Sequence, residues 1–164
     1  VTLTSLLPTL RESIPTPFDA AAWPARSVPS TDDVTVAAVS LRRYAELCGT
    51  PCVCTGPAII PLSGGAASPT DSTTVVLMRV TAADAGGIRV DARLSALHPV
   101  WREARLLGRV SHAYDEPFAV YGGDSEEATA SVVLPGDPRP GDLIAVPCAG
   151  CHSVGEVRCA RAEA

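Results

Sequence analysis

Arg139-Pro140-Gly141-Asp142-Leu143-Ile144-Ala145-Val146-Pro147-Cys148-Ala149-Gly150-Cys151-His152 is the stretch on which the fold turns. Pro140 cannot donate to a sheet and Gly141 relaxes the backbone, so the stretch opens with a turn. Leu143 to Val146 form a short, unbroken apolar run, which reads as a buried strand. Pro147 ends the run, just before Cys148-Ala149-Gly150-Cys151-His152. Three readings compete for that pentapeptide: attachment of a c-type haem, half of a metal site, and the end of a strand in a β-domain. The strand end is preferred. The motif follows a strand, no export signal is read ahead of it, and the sole methionine, Met78, lies far upstream.

Working outward, the pattern predicts further strands over 74–81, 88–91, 104–112, 118–121, 130–134 and 154–158, with a hairpin turn at Ala85-Gly86-Gly87. Nearer the start, a short helix over 4–14 is weakened by Pro8, and 15–29 wraps the surface, pinned by Trp23. A strand is expected over 35–39. Ser40 then caps a helix over 41–48 that Gly49 stops. Residues 51–61 read as extended and apolar. Short strands separated by turn signals imply a mainly β fold: one barrel or sandwich with one or two short N-terminal helices. Its parts are an N-terminal strand and helix segment (1–61), a Gly/Ser/Pro linker (62–73) and the main barrel (74–164).

Composition bounds the function. The 164 residues are 46% hydrophobic, enough for one domain with its own core. No apolar run approaches a membrane span. A net charge of −5 gives nucleic acid nothing to bind. The first eight residues lack the basic head and apolar middle of a signal peptide, so a cytoplasmic protein is expected. There six cysteines are free thiols or metal ligands rather than a disulfide framework. All 13 basic residues are arginine. With no lysine, no side-chain amine is available for a Schiff base.

Both ends of the chain resemble actinobacterial diaminopimelate decarboxylases. Thr2-Leu3-Thr4-Ser5-Leu6-Leu7-Pro8, the segment 34–47 and Gly49-Thr50-Pro51 are similar to that family's N-terminus. Val90-Asp91 with Leu94-Ser95, Glu116-Pro117-Phe118-Ala119-Val120-Tyr121-Gly122 and Pro138 to Gly150 are similar to its C-terminal β-domain. The resemblance implies that same β-domain, with the pyridoxal-phosphate-binding barrel replaced by the linker at 62–73. Such barrels run to about 250 residues. It also implies that the family's catalytic cysteine falls on Ser125, that its glutamate is kept as Glu126, and that its cofactor-contacting tyrosine falls at Cys151 or His152. With the Schiff-base lysine gone, decarboxylation is not expected, and no cofactor is.

The candidate site follows from that inheritance. Glu126 and His152 are expected to move a proton, with Ser125 beside them. Tyr121, Asp124, Cys151, Trp101 and Tyr114 would bind substrate. Asp124 to Glu127 also read as a solvated acidic turn, and the aromatics as core. His98 and His112 read as surface or core partners. Cys52 and Cys54, with Cys148 and Cys151, could offer zinc four thiolates, although residues two apart on a strand share one face and suit a core. The leading expectation is a cofactor-independent cyclase or isomerase of specialised metabolism. Its small, largely apolar substrate would occupy a pocket of the repurposed β-domain, in a protein that could form a homodimer. The alternatives are a non-catalytic partner subunit and a zinc-stabilised binding module.

Overall fold

Leu143–Ala149 is a strand, and six of its seven residues are buried. It is hydrogen-bonded along both edges. Residues 143–149 pair with 79–73, and 143–145 pair with 107–105, both antiparallel. A strand covered on both edges and both faces has no polar side to present, so its sequence is apolar throughout.

The computed structural model describes residues 1–160. In chain order, helix α1 (Leu3–Leu6) and a 3₁₀ turn (Pro8–Glu12) begin a strap that runs over the surface to Arg26. A small antiparallel sheet of β1 (Ser27–Pro29), β2 (Val34–Val36) and β3 (Val39–Ser40) follows, then helix α2 (Leu41–Cys48). The main sheet contains β4 (Cys52–Ile59), β5 (Ala67–Asp84), β6 (Gly87–Val90), β7 (Arg105–Leu107), β8 (Asp115–Tyr121), β9 (Ala130–Pro135) and β10 (Leu143–Ala149). A last turn of helix, α3 (Val154–Val157), crosses its end. The spatial order is β7-β10-β5-β6-β8-β9, with β4 also paired to β5. All of these pairings are antiparallel except that of β6 with β8. The sheet curls into a nearly closed barrel. Its end strands face each other across a small apolar gap lined by Leu106 of β7 and Leu134 of β9. With 40% of residues in strands and 17% in helices, the fold is mainly β.

β5 decides the packing. Val76, Met78 and Val80 point into the barrel, where they meet Ile88, Val90, Phe118, Val120, Val132, Ile144 and Val146. Val75 and Leu77 point outward, onto a second core built from Trp23, Val34, Val36, Leu41, Ala45 and Cys52. The period-two alternation of a strand sends neighbouring residues to opposite faces. Here both faces are apolar because each has its own cover. The N-terminal segment supplies the outer cover, and its β4 pairs directly with β5, so it belongs to the same sheet.

Several local expectations shift. The linker is shorter than 62–73, because β5 already begins at Ala67. Ala67, Ser72 and Thr73 pair with β4, on either side of an irregularity in the register. The strand expected over 35–39 breaks at Ala37 and Ala38, both at positive φ, which form a two-residue hairpin turn. The strand over 104–112 stops at Leu107, before Gly108 at φ 87°. Residues 154–157 are a helical turn instead of a strand, fixed by a capping box between Ser153 and Glu156. The helix over 4–14 divides at Pro8 into α1 and the 3₁₀ turn. The capped helix stands as expected: Ser40 Oγ accepts from the Arg43 N–H at 3.2 Å, and Gly49 stops it at φ 72°.

Truncating Met78 to Ala inside the barrel is expected to cost roughly 2–5 kcal/mol, whereas Val133→Ala on the exposed face of β9 costs less than about 0.5. Urea denaturation of the two variants measures both. Equal losses would contradict the assignment of the two faces.

Candidate functional site

Tyr121, Asp124, Ser125 and Glu126 lie together in the turn that leaves β8, and Arg89 of β6 holds that turn. Its guanidinium donates to the Gly122 and Ser125 carbonyls at 3.1 and 2.8 Å and to Glu126 Oε2 at 3.3 Å. It also lies over the Tyr121 ring, 5.6 Å from the centroid. Ser125 Oγ donates to the Glu127 carbonyl and accepts from the Glu127 N–H. Gly123 packs so closely that a Cβ there would sit 2.8 Å from Cys159 Sγ and 3.2 Å from the Val90 carbonyl. The Glu126 side chain is 95% exposed. Arg89 and the Ser125 hydroxyl hold the turn in shape, and none of its four candidates lines the cavities described below.

His152 lies elsewhere, at the end of β10. Its backbone N–H donates to Thr74 Oγ1 at 3.1 Å, and its Nε2 is 3.1 Å from the Ala149 carbonyl. Nδ1 is 3.4 Å from Glu156 Oε1. Hydrogen bonds from the Ser153 backbone and hydroxyl, then from His152, hold the Glu156 carboxyl below its ordinary range. His152 is therefore part of the cap on α3. Among the described residues no hydrogen bond or ion pair joins it to Ser125 or Glu126. Cys151 is exposed on the wall of a wide, open hollow of about 600 Å³, with Thr73, Ala149 and Arg102. Trp101 lines a separate cavity of about 270 Å³ at the barrel mouth, with Leu94, Leu97, His98 and Ala130. Tyr114 is 66% exposed. The sequence-derived candidates thus occupy four separate places.

The four thiols do not converge either. β5 stands between β4 and β10, and Cys151 lies beyond the end of β10, exposed. Cys52 is buried in the outer core with Cys54 packed against it, while Cys148 is buried in the inner core. Among the described residues, no cluster of three or more His, Cys, Asp or Glu side chains is arranged to hold a metal. Burial pushes the Cys148 thiol up to about 12 and the Cys52 thiol up to about 11, where neither is a thiolate at neutral pH.

One site has no counterpart in the sequence reading. A cleft of about 290 Å³ separates the N-terminal strap from the wall formed by β7, the segment after it, and β9. Leu106, Val110, Val133 and Leu134 give it apolar walls, and Thr4, Thr16 and Ser111 add hydroxyls. Four arginines line it; the exposed Arg102 pairs with Asp19 at 3.2 Å, and the other three define its chemistry. Arg109 is fully paired: it donates to both Asp142 oxygens at 2.8 and 2.7 Å and to Asp137 at 3.1 Å, and the Asp142 bonds hold its guanidinium above its ordinary value. Arg11, 5% exposed, donates to the Ser111 and Ala113 carbonyls and to Asp115 at 2.8 Å, leaving its buried Nε without a partner. Arg105, 8% exposed, donates to Thr16 and to the Pro17 carbonyl and stacks over the Phe18 ring at 5.2 Å. Burial pulls its pKa below the usual guanidinium value, opposed by the charge of Glu103. Glu103 itself accepts from Trp23 Nε1 at 3.1 Å and from the Asp19 N–H at 3.2 Å.

Compared with protein-family models, curated proteins and solved structures, the chain matches none. The likeness to the decarboxylase β-domain rests on the quoted motifs alone.

Thiol titration with a disulfide reagent at pH 8 in native buffer is expected to modify the exposed Cys48 and Cys151 quickly and to spare Cys52 and Cys148 until urea is added. Rapid native modification of Cys148 would contradict its place in the inner core.

Proposed function

We propose that this β-domain acts on a small organic molecule bound in the cleft beneath the N-terminal strap. The observation that carries this reading is the cleft itself: a concavity that sets an apolar patch of Leu106, Val110, Val133 and Leu134 beside buried arginines and hydroxyls, at a volume near the low end of the ~300–1,000 Å³ typical of ligand pockets. The reaction class remains that of a cofactor-independent cyclase or isomerase. Such chemistry asks for shape, exclusion of water and one acid–base group. The carboxylates on the cleft wall are Asp33, Glu103 and Asp115. Glu126, Ser125 and His152 do not carry this reading, since none of them lines the cleft. Trp101 would serve it only if the barrel mouth were the site.

A second reading, a non-catalytic subunit or homodimer, is favoured by Leu3, Leu6 and Leu7, which are more than half exposed on the strap. The same experiment separates the two. A ligand-observed NMR screen of small cyclic carbonyl compounds is expected to yield binders that Val133→Trp, filling the cleft from β9, weakens at least tenfold, and that Trp101→Ala leaves unchanged. Binders lost with Trp101→Ala instead would move the site to the barrel mouth. An absence of binders, with a dimer by sedimentation, would favour the subunit reading.

A further inference from the structure

Among the described residues Arg105 is the one cleft arginine without an acid. Arg109 has two aspartates, Arg11 has Asp115 and Arg102 has Asp19, all at hydrogen-bond distance. Among the described residues Arg105 forms no ion pair, although it is more than nine-tenths buried. The nearest acid in sequence, Glu103, is taken by Trp23 and Asp19. Asp33, also on the cleft wall, is taken by Ser40 and by the Val34 and Arg42 N–H groups. A guanidinium stays charged in proteins, and buried charges are ordinarily paired. Arg105 instead has carbonyls, one hydroxyl and an aromatic face, which stabilise a cation without neutralising it. Its two terminal nitrogens make those bonds, and its Nε–H has no acceptor among the described residues. A second, independent observation lies on the same cleft: the buried Nε of Arg11 is the only buried side-chain nitrogen or oxygen without a hydrogen-bond partner among the described residues.

From these two observations we infer that the cleft takes a small organic monocarboxylate, its anionic end bound at Arg105 and its apolar body against Leu106 and Leu134. This inference rests on the cleft being the ligand site, and it adds the ligand's charge class. One uncompensated cation matches one negative charge. A phosphate dianion would carry a charge in excess of what the cleft neutralises, with Asp115 and Glu103 on the same wall. A dicarboxylate would likewise bring a second charge, and the other cleft arginines already have acids of their own. The unpaired cation at one end and the apolar walls at the other ask for a molecule with the same division.

The probes are cinnamate and its neutral isostere cinnamamide, with inorganic phosphate as a control, titrated by NMR into the full chain. Cinnamate is expected to bind at least tenfold more tightly than cinnamamide, and phosphate not to compete. Arg105→Met is expected to abolish that preference while leaving the weak binding of cinnamamide. Arg105 also ties down Thr16 and Pro17, so Arg105→Lys, which keeps the charge but loses the fork, provides a check. It is expected to retain the preference for cinnamate at reduced strength. Equal binding of cinnamate and cinnamamide in the wild-type chain, both weakened by Val133→Trp, would overturn the carboxylate inference and leave the cleft as the site. No binding of either, or binding insensitive to Val133→Trp, would overturn both. Competition by phosphate would overturn the monocarboxylate assignment alone.

Discussion

β5 is a strand with both faces buried, and that constraint organises the molecule. Its inward residues close the barrel, and its outward residues Val75 and Leu77 must be covered by something other than the barrel. The first third of the chain meets that need through Trp23, Val34, Val36, Leu41 and Ala45. Leaving either layer in water would expose several large side chains, each worth about 1.5–3 kcal/mol when fully buried. The two cores are therefore coupled through a single backbone, and the N-terminal segment is part of the fold rather than an appendage.

The strap itself is poor in large apolar residues. Between Pro15 and Pro29 it is mostly proline, alanine and small polar groups, with Phe18 and Trp23 as its two rings. It is fixed instead by polar anchors from the barrel side: Arg105 on Thr16 and Pro17, Glu103 on Trp23 and Asp19, and Arg11 reaching from the strap to Ser111, Ala113 and Asp115. Hydrogen bonds to charged groups contribute about 1.5–3 kcal/mol each, against an effective desolvation cost of several kcal/mol for each buried ion. Arg11 and Arg109 offset that cost with carboxylates. Arg105 offsets it with neutral acceptors only, so it is the position with the most to gain from an anion. Anchoring at points, rather than by continuous packing, is also what leaves a cleft between strap and wall.

The fold was legible where local chemistry and tertiary setting agreed. The run at 143–146, bounded by Pro140-Gly141 and Pro147, could only be a buried strand, and Ser40 with Gly49 marked both ends of α2. It was less legible where a tertiary partner overrode composition. The small polar residues at 67–73 look like a linker and are a strand because β4 pairs with Ala67, Ser72 and Thr73. Residues 154–158 read as a strand, and 154–157 are one helical turn because Ser153 and Glu156 cap it. The candidate site was less legible still. The partners of Arg11 and Arg105 are some 90 to 100 residues distant in sequence, and most are backbone carbonyls, which carry no residue-type signal. A complete absence of lysine in a chain with 13 arginines was the one available hint. Motif reading went instead to Cys148–His152 and to the turn at 124–127, which the fold uses as a strand end with its helix cap and as an Arg89-bound turn.

The most direct test of this account is the nitrogen–proton spectrum of the arginine side chains, recorded as cinnamate is added. The account predicts that the Nε–H signal of Arg105, which has no acceptor among the described residues, moves markedly on binding, while that of Arg109, already committed to Asp142, stays in place. Perturbations confined to Trp101, His98 or His152, with Arg105 unmoved, would contradict it.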